Sequence, residues 1–200
     1  KNPKKLLSMQ KKIFKNFNLS LKNTTKKIDH IRDGLFEKNI VINKKSLKIL
    51  HIASFNEISN GSLYYSTANK FNIGFIKLGH FVQIVDDKFF FKSNIFNTIS
   101  DFNEKIISNV KNLAPDLILL GHTNKITSKT LKKIKNLLPK IVFCRWYIDS
   151  VSPEFFTNNS KILLNNINFI DKVFITSQPN KAFSKFKNKF HFIPNPVDLS

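Results

Sequence analysis

The sequence predicts an α/β protein built on a Rossmann-like parallel sheet flanked by helices. Short apolar runs alternate with helix-period stretches about five times between Leu47 and Pro194. The connections between them are short. The runs are near-continuous apolar blocks rather than strictly alternating ones, as strands covered on both faces require. Such a sheet takes right-handed crossovers and opens its ligand crevice outside the carboxyl ends of the strands.

The elements follow in order. Residues 1–45 are expected to form a helical extension, with Leu6, Met9, Ile13, Phe17 and Leu21 at helical spacing among lysines. Such a stripe packs on its own domain or lies on an anionic membrane. The α/β domain is expected over 46–200. Leu47–Ala53 reads as the first strand and Ser54–Ser62 as a polar loop. Thr67, Phe71, Phe75 and Leu78 share a helical face with Leu63, and Gly79 is placed to end that helix. His80–Val85 reads as the second strand, and 86–100 as an irregular connection rich in Phe. Asp101 and Glu104 have the spacing of a capping box. The helix they open carries Phe102, Ile106, Val110 and Leu113 and stops before Pro115. Asp116–His122 is the third strand. Thr127 or Ser128 caps the next helix, which ends at Pro139. Ile141–Asp149 is the fourth strand, 158–170 a looser helical stretch and Lys172–Ser177 the fifth strand. A short helix near 179–187 precedes a sixth strand at His191–Pro194.

Composition sets limits. The chain has 200 residues, 42% of them apolar and 21 of them Phe, enough for one well-cored domain. A single cysteine, Cys144, rules out a disulfide framework and a zinc set, and its place within a strand makes it an inert buried thiol. No uninterrupted apolar run reaches membrane-spanning length. The net charge is +20. It reads either as attraction to an anionic partner or as the Lys- and Asn-rich coding of an AT-rich genome. Nucleic-acid readers lean on arginine forks, and only Arg32 and Arg145 are present. Nucleic acid is therefore disfavoured as a partner, whereas lysine suffices at an anionic lipid surface.

The strand ends carry the candidate chemistry. Asn60-Gly61-Ser62 leads into a helix, where a glycine lets a ligand approach backbone N–H groups; an ordinary turn capped by Ser62 is the plain alternative. His122 follows the third strand, placed to bond a hydroxyl or act as a base. Asp149 closes the fourth strand, where a carboxylate can accept sugar hydroxyls or orient a base. Trp146 and Tyr147 offer ring faces to a carbohydrate, with Trp146 equally readable as core. Arg145 and Tyr147 share one side of that strand and Trp146 takes the other. Asp86 and Asp87 follow the second strand, Ser177 the fifth and Asn195 the sixth. His51, inside a strand, reads as a satisfied core histidine. GxGxxG, GxxxxGK[ST] and GxSxG are absent, and no His or carboxylate spacing suggests a metal site.

Asn60–Val82, with its turn Asn72-Ile73-Gly74-Phe75-Ile76-Lys77-Leu78-Gly79-His80, resembles the opening of GT-B glycosyltransferases of the group 1 type. DLILLGHTNKITSKTLKKIKNLLPKIVFCRWYID, with Trp146–Asp149, is similar to the next part of such domains. KVFITS and the later HFIPNPVD resemble the passage toward the linker, with Pro196 where glycine is commoner. The resemblance covers about residues 47–198 and implies the acceptor-side half of a two-domain enzyme, with a donor domain beyond these residues and little activity for this stretch alone. It implies transfer of a sugar from a nucleotide-sugar donor to a glycan or lipid-linked acceptor hydroxyl, without cofactor or required metal, in cell-surface polysaccharide or glycolipid synthesis. On that reading His122 and Asp149 meet acceptor hydroxyls, Asn60 and Gly61 approach donor phosphate and acceptor, and Trp146, Ser177 and Asn195 line the crevice. The expected location is cytoplasmic, peripheral at the inner membrane face. The alternatives are a non-catalytic α/β ligand-binding module and, from charge alone, a nucleic-acid binder. A receiver-type module lacks its acidic cluster, since Ser54-Phe55-Asn56-Glu57 follows the first strand.

Overall fold

The computed structural model describes residues 46–55, 66–94, 96–151, 161–177 and 181–194, all within the unit Ser46–Ser200. The extension expected over 1–45, and most of the loop 54–62, lie outside the described residues. Six strands form one sheet: β1 (Lys48–Ala53), β2 (Phe81–Asp86), β3 (Leu117–Leu120), β4 (Val142–Tyr147), β5 (Lys172–Ile175) and β6 (Phe190–Phe192). Their order is β2-β1-β3-β4-β5-β6, and every neighbouring pair is parallel. The chain is thus the Rossmann-like α/β fold that the alternation predicts.

Register explains the apolar runs. Val85, Ile52, Leu120, Arg145, Val173 and Phe190 stand in one row across the sheet. The row belongs to the larger core, where helices bury Phe102, Ile106, Leu131 and Ile134 against it. The opposite face carries a second core of Ile49, Ala53, Leu119, Cys144 and Trp146 under Ala68, Phe71 and Phe75. Strands buried on both faces need apolar side chains at successive positions, so period-two alternation is weak here. Ile49, Leu50 and Ile52 are fully buried, each contributing roughly 1.5–3 kcal/mol over an exposed position.

The helices obey local rules. Helix α1 (Thr67–Lys77) is capped by Ser66, whose hydroxyl accepts from Asn69 N–H. It ends as expected at Gly79, with φ +80°. His80 N–H donates to Phe75 C=O and Gly79 N–H to Ile76 C=O, the paired bonds of a Schellman stop. Residues 86–100 are not irregular throughout. Asp86 caps helix α2 (Asp87–Ser93), and Phe90 and Phe91 pack on Phe102 with ring centroids 5.2 and 5.4 Å away.

Helix α3 (Ile99–Leu113) starts earlier than the expected capping box. Thr98 and Asp101, not Asp101 and Glu104, exchange the capping bonds, because Thr98 is the last extended residue. Ala114, with φ 47°, ends it before Pro115. Thr127 is the cap of α4 (Ser128–Leu137). Of the stretch 158–170, residues 161–164 are helical and 165–169 are turns. A 3-10 segment, Lys181–Lys189, fills the place of the last short helix.

Arg145 stands in the apolar row yet is 1% exposed. Its Nη1 donates to the carbonyls of Ile162, Leu163 and Asn165 at 2.5, 3.0 and 2.8 Å. A guanidinium at the end of a helical turn satisfies carbonyls that have no partner within the helix. Burial pulls its pKa down to about 10.

Candidate functional site

Strand order decides where the crevice lies. From β1 the chain passes through α1, on the smaller core, to β2 at the sheet edge. From β2 it returns through α3, on the larger core, to β3 on the other side of β1. The connections therefore diverge between β1 and β3. Open parallel sheets leave their ligand crevice at such a switch point, outside the carboxyl ends.

Gly121, immediately after β3, makes the close packing there achievable. A Cβ on Gly121 would stand 2.6 Å from Ala53 Cβ and 2.8 Å from Trp146 Cζ2. Its N–H donates to Ile52 C=O at 2.9 Å, drawing the β3 exit onto β1.

Asp86 and Asp87 form one flank. Asp86 Oδ2 accepts from Phe55 N–H and Oδ1 from Phe89 N–H, both at 2.9 Å. One carboxylate thus ties the exit of β1 to the start of α2. Asp87 is also buried. Burial pushes its carboxyl pKa up, the Thr123 hydroxyl that bonds it opposes this, and the Asp86 charge adds to the rise. Among the described residues Asp87 Oδ1 has no hydrogen-bond partner.

His122 and Asp149 form the other flank. The backbone N–H of Ile148 donates to His122 Nε2 at 3.1 Å. In the neutral ring that leaves the proton on Nδ1, which faces Asp149 Oδ2 at 3.4 Å. The ring stacks on Tyr147 with centroids 4.2 Å apart and 20° between planes. Burial holds the His122 pKa below its usual value; Asp149 pulls it back up and Lys88 pushes it further down. Burial also drives the Tyr147 phenol up to about 12, with the Asp149 carboxylate adding to the rise. His122 is therefore a neutral ring whose two nitrogens are already engaged. The side chain of Asp149 is 54% exposed, and it presents a carboxylate able to accept a hydroxyl proton.

The structure thus brings His122 and Asp149 together and sets Trp146 apart from them in role. Trp146 is 5% exposed, and its Nε1–H donates to His51 Nε2 at 2.9 Å. That burial corresponds to the core reading of Trp146, not to an open stacking face. Its packing partners include Phe71, 5.4 Å away between centroids. Ser177 stands two residues past β5 with a buried Oγ that has no hydrogen-bond partner among the described residues. Nearby, Thr176 Oγ1 donates to Ile148 C=O at 3.0 Å, joining the exits of β5 and β4. Asn60, Gly61 and Asn195 lie outside the described residues.

Asp87 and Thr123 fall within the strand-end segments Asp86–Asp87 and His122–Asn124 that the sequence marks, though neither stands out there, and Lys88 lies just beyond the first of them. Their signal was position, just past the ends of β2 and β3; their association needed the strand order. Among the described residues no three His, Cys, Asp or Glu side chains group to hold a metal ion. A cavity of about 670 Å³ lined by Leu47, Pro115, Leu117, Pro139 and Val142 lies at the amino ends of β1, β3 and β4, away from these groups. Its lining is mostly apolar, with Asp116 and Lys140 at its edge. A shallower hollow of about 390 Å³, lined by Asn124, Lys161 and Asn165, opens beside the loop after β3.

No protein-family model matches the chain, and no curated protein matches it.

Proposed function

We propose that the chain is the acceptor-side domain of a GT-B-type glycosyltransferase, moving a sugar from a nucleotide-sugar donor to a hydroxyl of a glycan or lipid-linked acceptor. The observation that carries the reading is the half-exposed Asp149 carboxylate, held beside His122 at the carboxyl ends of β3 and β4. Asp149 accepts a hydrogen bond from the acceptor hydroxyl and takes its proton as that oxygen bonds the anomeric carbon, while the bond from that carbon to the donor phosphate breaks and the nucleotide leaves with the electron pair. His122 positions Asp149 through Nδ1–H, since the Ile148 N–H occupies Nε2. Donor and nucleotide belong to a second domain facing these strand ends.

The surface suits work near anionic lipid. Lys129, Lys132 and Lys133 are exposed along α4, and lysine acts as a point charge near such a surface. Among the described residues no helix is long and apolar enough to cross a membrane. Binding to vesicles containing phosphatidylglycerol is expected, falling as salt rises. Equal binding to neutral phosphatidylcholine vesicles would remove the docking idea.

The test of the reaction is transfer of labelled sugar from a panel of nucleotide-sugars to membrane-extracted acceptor by the full-length gene product. Loss of transfer in Asp149→Asn, with the fold intact, supports the reading. Absence of transfer from every donor, with nucleotide-sugar binding also absent, overturns it.

A further inference from the structure

Leu117, Val142 and Cys144 stand on one face of the sheet, as the register of β3 with β4 requires, and Leu47 shares it through Ile49 of β1. At the amino ends of these strands they line the cavity of about 670 Å³, together with Pro115 and Pro139 from the loops that enter β3 and β4. That volume lies within the ligand-sized range of roughly 300–1,000 Å³. Val142 is 41% exposed, and Ala114, Pro139 and Lys140 are exposed, so the cavity opens to solvent.

The lining selects the guest. No aromatic ring is among the described lining residues, although the chain has 21 Phe. Aliphatic side chains, proline rings and one thiol do the lining. Burial pushes the Cys144 thiol up to about 11, so it stays protonated and counts as a small apolar group. Such walls give dispersion contact to an alkyl chain and offer no ring for stacking. Charge selects the head group. Lys140 stands free of any carboxylate at the lining, while Lys135 Nζ donates to Ile141 C=O at 2.6 Å and Lys48 Nζ to Leu113 C=O at 3.3 Å. The carboxylates at this end are already held: Asp116 Oδ2 accepts from Lys48 N–H at 2.9 Å and Asp171 Oδ2 from Phe143 N–H at 2.8 Å.

We propose that this cavity binds the alkyl chain of a single-chain anionic amphiphile, a long-chain carboxylate, whose head group meets Lys140 at the mouth. The cavity lies at the opposite ends of the strands from Asp149, so its occupancy does not depend on sugar transfer.

The experiment is an NMR titration of the full chain with octanoate, decanoate and dodecanoate below their micelle concentrations, with dodecanol and dodecyltrimethylammonium as neutral and cationic comparisons. Dodecanoate is expected to move the amide signals of Leu117, Lys140 and Val142 saturably, with one molecule bound. Affinity should rise about fourfold for each added CH₂, the effect of burying one methylene. Lys140→Met should weaken dodecanoate about threefold, as for an exposed ion pair, and leave dodecanol unchanged. Val142→Glu, at its half-exposed position, sets a carboxylate in the mouth and should weaken dodecanoate at least about tenfold with the fold intact, since like charges repel across a low-dielectric wall.

No shift at these amides overturns the proposal, as does binding indifferent to chain length or to Val142→Glu. Many molecules bound, with shifts spread over the lysines of α4, would mean surface adsorption alone and overturns it too. Equal affinity for the ammonium amphiphile overturns the choice of an anionic head. Response to phosphatidylglycerol vesicles but not to dodecanoate would give the site to a bilayer lipid instead. Shifts of the same amides on raising protein concentration without amphiphile, with no room left for dodecanoate, would give it to a second copy of the chain.

Discussion

Trp146 on β4 donates its indole N–H to Nε2 of His51 on β1, 95 positions away in sequence and 2.9 Å away in space. The other ring nitrogen of His51 bonds Asn72 Oδ1 on α1 at 2.6 Å. An indole can only donate, so Nε2 accepts and Nδ1 carries the proton toward Asn72. The buried histidine is thereby satisfied as a neutral ring, and it joins two strands and a helix across the smaller core.

This arrangement makes stability depend on pH. Burial pulls the His51 pKa from 6.5 to about 4, while the Asn72 bond opposes the fall. Above pH 6.5 the ring is neutral in both folded and unfolded chains, so no penalty applies. As pH falls from 6.5 toward 4 the unfolded chain takes up a proton that the folded one refuses. About 3 kcal/mol of stability should be lost across that window. Urea denaturation at pH 7 and pH 4.5 measures it, and His51→Gln should flatten the difference. An unflattened difference would assign the loss to other groups.

Trp146→Phe keeps the ring contact with Phe71 but leaves His51 Nε2 without a donor. A loss of roughly 1–3 kcal/mol is expected from that unpaired buried nitrogen. Trp146→Phe combined with His51→Leu should recover part of it, since both polar partners are then gone. Additive losses in the double variant would contradict the pairing.

Gly121→Ala tests the tight contact at the switch point. The new methyl would press on Ala53 Cβ and the Trp146 ring, and overpacking of this kind costs about 1–3 kcal/mol. Ala53→Gly introduced alongside it removes the 2.6 Å contact and should return part of the stability, while the Trp146 contact keeps it from being complete. Thermal unfolding of the single and double variants decides the matter. A Gly121→Ala protein as stable as wild type would mean that the β3 exit does not sit against β1 as described.

His122 offers a direct reading of the site's charges. Its ring signals should titrate below pH 6.5, because burial opposes the imidazolium. Asp149→Asn removes an attraction to the cation and should move the midpoint lower still. Lys88→Met removes a repulsion and should move it higher. Ring carbon shifts followed against pH in the two variants test both signs; a midpoint indifferent to Asp149 would break up the pair.

Much of the local structure was legible from residues alone. Gly79 ends α1 because only a residue tolerant of positive φ fits there, and Pro115 and Pro139 mark where α3 and α4 must have stopped. The six strands announced themselves as apolar blocks. The capping box was misplaced by three residues because Thr98 and Asp101 have the same spacing as Asp101 and Glu104, and only backbone geometry separates them. Helix α2 was missed because Phe89, Phe90 and Phe91 show no periodicity in so short a run, and its formation is supported by packing on Phe102.

The sequence by itself determined the class of fold and the order of its elements, since periodicity, caps and breakers act over a few residues. Tertiary structure decided which strands are neighbours, and with that the pairing of Asp87 with Thr123, of His122 with Asp149 and of Trp146 with His51. In a parallel sheet each crossover can carry the chain to either side of the preceding strand. That choice depends on contacts between residues tens of positions apart, whose loop-closure entropy no local pattern encodes.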